Sequence, residues 1–227
     1  DKCIKMFRLG QRNFLGSFTG HTNWIRCARF SPSNKMIASC SEDKTVKVFD
    51  VQSGQIIHSF KDENGYGNQL TWHPDNNTIA IAQENGRVKI YDLAQRKLVQ
   101  YYRIYDGAVK CLDFHPSGNY LVTGDEKGLT KILDLLEGRD IFTLKGHHDA
   151  VTAVKFNQDG KYFVTGSKDR HVMIFESNLS SNQSSLASMD NASEHADNKE
   201  NKRDEGVLVD VRKSVNYNYL HNDEVNV

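Results

Sequence analysis

The sequence predicts an all-β fold built from repeated four-stranded sheets, and three observations predict it. The three prolines of the 227-residue chain, Pro32, Pro74 and Pro116, are each 42 residues apart. An aromatic residue or Leu followed by an acid recurs at the same spacing, at Phe49-Asp50, Tyr91-Asp92, Leu133-Asp134 and Phe175-Glu176. Within each unit, short runs of β-branched and aromatic residues alternate with polar ones and are divided by turn residues, with no helical stripe over residues 1–176. Several residue classes in one register mark a true internal repeat. Four short strands per repeat of this length is the blade pattern of a β-propeller.

The elements follow in order. Residues 1–8 (DKCIKMFR) align with 43–50 (DKTVKVFD), so the chain is expected to open on the last inner strand of a blade. Four units follow, 12–50, 55–92, 97–134 and 140–176. In the first, strands are expected over 12–18, 24–30, 36–41 and 45–50. The prolines sit in matching motifs, Phe30-Ser31-Pro32, Trp72-His73-Pro74 and Phe114-His115-Pro116, and Phe156-Asn157-Gln158 keeps the frame without the proline. Trp72 shares its register with Phe30, Phe114 and Phe156, so all four are expected in the core. His73 and His115, next to prolines in turns, are expected to face solvent. Cys27 and Cys111 share a register with Gln69 and Ala153, which predicts a small half-buried slot rather than a reactive thiol.

Composition changes after residue 176. Residues 177–227 hold 8 Ser, 9 Asn and one Gly, with 5 basic against 9 acidic residues. Too few large apolar residues remain there to offset ordering entropy, so a disordered tail is expected. Its end, GVLVDVRKSVNYNYLHNDEVNV, regains Val and Tyr and allows a short strand or a binding motif, but shows no heptads. The Asn-x-Ser triplets at Asn178, Asn182 and Asn191 are read as chance in an Asn/Ser-rich stretch.

Whole-chain charge is balanced, 29 Lys+Arg against 29 Asp+Glu, which gives no electrostatic case for nucleic acid or anionic lipid. No apolar run approaches the ~20 residues of a membrane-spanning helix. The four cysteines, Cys3, Cys27, Cys40 and Cys111, form no C-x-x-C pair, and this fits a reducing compartment. His147-His148 is a poor metal pair, because adjacent side chains on extended backbone point to opposite faces. No phosphate-binding loop, nucleophile elbow, zinc-protease or kinase motif occurs, so neither catalytic residues nor a cofactor is expected.

Gly20-His21 to Phe49-Asp50 and Gly146-His147 to Phe175-Glu176 resemble the GH…WD frame of the WD-repeat family, with Phe in place of Trp. That resemblance covers residues 1–176. It implies a seven-bladed ring, of which this sequence holds about four blades; a closed four-bladed ring is the structural alternative. An open arc would leave apolar blade faces exposed at both ends. The resemblance also implies His–Asp pairs, His21 with Asp43 and His147 with Asp169, joined by Ser39 or Ser41 and by Thr165 or Ser167. A hydrolase reading of His147, Asp169 and Ser167 is weighed against this; recurrence per repeat and the lack of a strained nucleophile turn favour the structural role. Blades two and three carry Glu63 with Asn85 and Tyr105 with Lys127 at these positions, and are expected to be less rigid.

In that architecture one face, the top, collects two registers. Turn positions give Glu42, Glu84, Glu126 and Lys168. The start of each inner strand gives Trp24 and Tyr66, with Arg26, Asn68, Lys110 and Thr152 two residues past the same position. Aromatics and Arg are common interface anchors, and acids beside them suit a basic peptide or a Lys/Arg-bearing partner. The bottom turns Ser33-Asn34-Lys35, Gln95-Arg96-Lys97 and Glu137-Gly138-Arg139 offer a second charged surface.

HTNWIRCARFSP, SEDKTVKVFD, FHPSGNYLVTG and LTKILDLLEGRDIFTLKGH resemble the centriolar family called proteome-of-centriole protein 1. That resemblance implies a non-enzymatic scaffold of centrioles and basal bodies, in the cytoplasm and cytoskeleton, supporting centriole assembly and cilium formation. It implies protein partners among centriolar components, and contact with tubulin or microtubules by resemblance alone. A generic WD-repeat adaptor or substrate-recognition subunit is the alternative.

Overall fold

A computed structural model describes residues 1–10 and 13–179, and these contain seventeen strands and no helix. Strands β1 (Ile4–Arg8) and β2 (Asn13–Phe18) form a two-stranded sheet. Three four-stranded antiparallel sheets follow in chain order. The first contains β3 (Ile25–Phe30), β4 (Met36–Ser41), β5 (Thr45–Asp50) and β6 (Ile56–Lys61). The second contains β7 (Gly67–Trp72), β8 (Thr78–Gln83), β9 (Arg87–Asp92) and β10 (Lys97–Arg103). The third contains β11 (Val109–Phe114), β12 (Tyr120–Asp125), β13 (Leu129–Asp134) and β14 (Arg139–Lys145). A three-stranded sheet of β15 (Val151–Phe156), β16 (Tyr162–Ser167) and β17 (Val172–Glu176) ends the series. The inner strands β3, β7, β11 and β15 touch in succession. This is the radial stacking of propeller blades, here as an arc of five sheets.

The 42-residue units and the sheets do not coincide. Strand β2, first in the unit 12–50, pairs with β1 and not with β3. Each unit thus gives its opening strand to the preceding sheet. Residues 24–61 make one blade, and the equivalent segments make the next two. Such an overlap ties neighbouring blades through the chain itself. Of the stretch set apart by composition as a tail, 177–227, residues 180–227 lie outside the described residues, as do residues 11–12. Residues 177–179 are packed against the last sheet: the Ser177 amide donates to Lys161 O at 2.8 Å, and Leu179 is buried beside Phe156 and Phe163.

Turn chemistry repeats with the same period. The turn after each inner strand places Asn34, Asn76, Gly118 and Gly160 at positive φ, and the next turn does so with Lys44, Gly86, Gly128 and Arg170. Only Gly relieves this conformation at no steric cost. At Gly86 it is also spatially required, since a Cβ would lie 2.0 Å from Tyr105 O.

The core sits between sheets rather than inside one. Ala38, Val46 and Val48 of the first full blade pack on Leu70, Trp72 and Ile79 of the second. Val88 and Ile90 pack on Leu112, Phe114 and Leu121 of the third, and Val122 and Ile132 pack on Val154 and Phe163. Trp72, Phe114 and Phe156 are buried, but Phe30 is 49% exposed, contrary to its register. Phe30 lies on β3, whose residues alternate between half-buried and exposed, whereas β7 and β11 are covered on both faces. β15 is likewise open on one face. The five sheets therefore form an open arc among the described residues.

Polar bonds also cross between blades. The Trp72 indole donates to Arg29 O at 3.0 Å, Asn68 donates to Val109 O at 2.9 Å, and the Leu112 amide donates to Gln69 Oε1 at 2.8 Å. Buried Asp113 accepts from the Phe156 amide at 2.9 Å and from Lys155 at 2.6 Å. His73 and His115, expected in solvent, are further inter-blade links. Their Nε2 atoms donate to Gly118 O at 3.1 Å and Gly160 O at 3.2 Å, and their rings stand edge-on to Phe114 and Phe156. Burial lowers the pKa of His115, opposed by its bond to Gly160. The turn of the following blade covers these rings, a contact that sequence spacing does not reveal.

Candidate protein-interaction site

One backbone bond per blade builds the top rim. The amides of Glu42, Glu84, Glu126 and Lys168 donate to the carbonyls of Trp24, Tyr66, Ala108 and Ala150, at 2.9–3.2 Å. The turn register and the start of the inner strand are thereby held side by side in all four blades. The residues two positions further, Arg26, Asn68, Lys110 and Thr152, are the extra residues of a β-bulge in each inner strand. A bulge breaks the alternation of a strand and re-aims its side chain, a common device beside binding sites.

The rim side chains are largely committed to one another. Arg26 forms an ion pair with Glu42 and lies 5.7 Å from the centre of the Tyr66 ring. Tyr66 hydrogen-bonds Glu84, and that bond, with burial, pushes its hydroxyl pKa up. Lys110 reaches Glu126 at 3.5 Å. Asn68 is spent on the inter-blade bond, and Thr152 Oγ1 donates to Gly166 O at 3.2 Å. Glu42 and Glu126 are therefore each neutralised by a neighbouring base, while Glu84 is held by the neutral Tyr66 hydroxyl and keeps its charge. A basic peptide would have to displace Arg26 and Lys110 to reach Glu42 and Glu126, so the acids by themselves do not call for one. Trp24 stands out at 59% exposure beside the Arg26–Tyr66 pair. An exposed indole next to a pre-ordered Arg–aromatic pair can bury apolar area against a partner at little entropic cost.

Beneath the rim lie the polar clusters within each blade. His21 Nδ1 bonds Asp43 at 2.8 Å and its Nε2 bonds Ser39 at 2.7 Å. His147 does the same with Asp169 at 2.9 Å and Thr165 at 2.7 Å. Ser41 and Ser167 instead donate to Asn23 O and Asp149 O, at 3.1 and 2.9 Å. Both members of each pair of hydroxyl candidates point to the same face of the strand, so height along it decides. Ser167 bonds Asp149 O, and Thr165 takes His147 Nε2, so the Ser167–His147 contact that the hydrolase reading needs is not formed. Burial raises the pKa of Asp43, but hydrogen bonds from Thr45, the Thr22 amide and His21 outweigh it and hold the carboxyl at about 2. Burial lowers the pKa of His21, with Asp43 partly opposing.

Blades two and three replace this cluster rather than lose it. Glu63 points outward, and the preceding residue, Asp62, turns in. Asp62 accepts from Gln83 at 2.5 Å and forms a buried ion pair with Lys89. In the third blade the Tyr105 hydroxyl occupies the histidine position, 3.0 Å from Thr123 Oγ1 and 3.1 Å from Thr123 O. Asp125, not residue 127, accepts the turn amides of Lys127 and Leu129 at 2.9 and 2.7 Å. Strict 42-residue columns keep Tyr105 and Thr123 in place but miss the acids, because Asp62 lies one residue before the histidine column and Asp125 two before the acid column. The available signal is that polar Gln83 and Asp125 occupy the column of Ser41.

Cys27 is half-buried as its register predicts, whereas Cys111 is fully buried, and burial pushes the Cys111 thiol up to about 12, away from a reactive thiolate. Among the described residues no three His, Cys, Asp or Glu side chains gather where they could hold a metal ion.

A family model described as the WDR19 first beta-propeller matches residues 21–219, past the compositional boundary at 176. No curated protein matches the chain. Radially stacked antiparallel sheets, the repeated His–Asp clusters and a match over most of the sequence agree, and the chain belongs to the WDR19 first beta-propeller family of WD-repeat domains.

Proposed function

We propose that the chain is a non-enzymatic protein-interaction scaffold of centrioles and basal bodies, supporting centriole assembly and stability and cilium formation. The top rim carries this reading: Trp24 is exposed beside Arg26, which is already ordered over Tyr66 and against Glu42. The scaffold role fits a fold whose buried polar clusters are spent on holding each blade together. The centriolar assignment rests on the resemblance of HTNWIRCARFSP and LTKILDLLEGRDIFTLKGH to the proteome-of-centriole protein 1 family. The partners are other proteins, with centriolar components or tubulin first, and neither nucleic acid nor membrane. A generic WD-repeat adaptor in another complex is the second reading. It is favoured by the family match, whose description names a different WD-repeat protein.

The test is imaging of a tagged chain in dividing, ciliated cells beside a centriole marker, with Trp24→Ala/Arg26→Ala in parallel. Discrete centriolar spots that disperse in the variant are expected. Trp24 is exposed, so thermal unfolding of the Trp24→Ala single variant should stay within about 0.5 kcal/mol of the parent. Diffuse signal from the parent, with retained binding to other proteins, would replace the centriolar reading by the adaptor one. Centriolar spots unchanged in the variant would remove the top rim as the contact.

A further inference from the structure

Four outer strands share a pattern that the 42-residue period alone does not reveal. In each, one residue bulges out of the pairing with the neighbouring strand: Leu15, Ile57, Val99 and Ile141, all apolar. Two residues on comes Ser17, Ser59, Tyr101 or Thr143, and then a large apolar residue, Phe18, Phe60, Tyr102 or Leu144. That large residue pairs with the start of the neighbouring strand, at Ile4, Val46, Val88 and Thr130. In the three full blades a base follows: Lys61, Arg103 or Lys145.

In the last blade β17 holds the position of β5, β9 and β13, and among the described residues no strand lies along its outer edge. Such an edge presents a row of main-chain donors and acceptors to a further strand. Continuing the period would bring residues 182–187 (NQSSLA) there. That places Gln183 at the apolar bulge position and keeps only Leu186 in register. Residues 207–212 (VLVDVR) fit at every position: Val207 leads, Leu208 takes the bulge, Asp210 the polar site, Val211 the large apolar site, and Arg212 the base. Three of the six are Val, a strong β-former, and the family match runs through residue 219 and so includes them.

We propose that the outer edge of β17 is a strand-docking site occupied by Val207–Arg212 of the same chain, antiparallel, with Asp210 opposite Met173 and Val211 opposite Val172. The connection grows from the five residues between β5 and β6 to about thirty, and closure entropy rises only logarithmically with that length. The Asn/Ser-rich acidic stretch then becomes an excursion on the side of the turns that carry Gly54, Arg96 and Gly138. This docking is independent of the rim and of the proposed function.

Hydrogen exchange on the full chain is the test. Peptides spanning 207–212 should exchange at least about tenfold more slowly than unstructured backbone, and peptides spanning 182–187 at unprotected rates. Absence of protection at 207–212, or protection at 182–187 in its place, overturns the proposal. Oxidation of Met173→Cys/Asp210→Cys should yield a disulfide within one chain, while Met173→Cys/Ser185→Cys yields none. A 173–185 bridge, or a 173–210 bridge found only between two chains, overturns it as well, the latter by making a second copy the occupant.

Discussion

Replacing Lys89 by methionine isolates the buried ion pair that stands in for the histidine cluster of blade two. Lys89 and Asp62 are each only 7% exposed. Lys89→Met keeps the aliphatic stem and leaves Asp62 with two uncharged donors, Gln83 Nε2 at 2.5 Å and the Asn64 amide at 3.1 Å. Breaking a buried pair from one side costs about 3–5 kcal/mol, roughly two to three and a half powers of ten in the folding constant. The stranded carboxyl has one escape, which is protonation. In the parent, burial raises the pKa of Asp62, but hydrogen bonds from Lys89 and Gln83 outweigh it and hold it below its usual range. Removing Lys89 removes the largest of those opposing contributions, so burial wins and the pKa rises above the ordinary value of about 3.9. The sign of the pH dependence therefore inverts. The parent's share of stability from Asp62 is present above the unfolded pKa and fades as pH falls through the folded one. The variant's penalty is largest near neutral pH and shrinks as pH falls toward 5, by about 1.4 kcal/mol per unit of folded-state shift. Urea denaturation followed by Trp72, buried in the same blade, measures both at pH 7 and pH 5. Asp62→Leu/Gln83→Leu/Lys89→Met, which removes both charges and the buried amide side chain and leaves only the Asn64 amide, on an exposed residue, to bond water, should recover most of the loss. A cost below about 1 kcal/mol at pH 7, or an equal cost at the two pH values, would refute the reasoning.

Three further outcomes are expected. Gly160→Ala should destabilise more than Gly138→Ala: both residues have positive φ, but a Cβ at Gly160 would lie 2.1 Å from His115 Nε2, whereas nothing lies within 4 Å at Gly138. The difference in thermal unfolding should be about 1–3 kcal/mol, the usual cost of overpacking. Tyr105→Phe should cost about 1 kcal/mol in denaturant unfolding; because burial pushes the Tyr105 hydroxyl far up, with Thr123 partly opposing, the number of tyrosines ionising in a native-state absorbance titration near pH 10–11 should not change. Asp43→Asn should flatten the acid limb of the stability curve. Asp43 is held at about 2, so its contribution, up to about 2 kcal/mol, is present above pH 4 and lost between pH 4 and 2.

Much of the arrangement is legible in the chain itself. Period-two alternation and the repeated Pro and aromatic–acid positions place strand after strand within a residue of where it forms; the run expected over 24–30 is Ile25–Phe30. The rim registers were also readable, because Glu42 and Trp24 recur at fixed offsets and a backbone bond joins each such pair. Their mutual neutralisation was not. Arg26 meets Glu42 only because a bulge turns it out of the strand, and it meets Tyr66 only because the neighbouring blade stands beside it. Sequence columns treat each blade as isolated, so contacts that cross between blades, such as His115 to Gly160, carry no local signal.

By itself the sequence determined the all-β repeat, the period and the turn positions, because these depend on local propensity and on spacing along one strand or turn; the His–Asp pairs were implied by the family resemblance. Only the tertiary structure decided which sheet each outer strand joins, since β2 could in principle pair forward or back. It decided that Ser39 and Thr165, not Ser41 and Ser167, meet the histidines. It also showed that Asp62–Lys89 and Tyr105–Thr123 replace the missing clusters. The last two share one physical reason. A buried polar group must find a partner wherever packing brings one within reach, and that distance is set by how the strands and loops of a blade fold against one another, which no periodicity along the chain encodes.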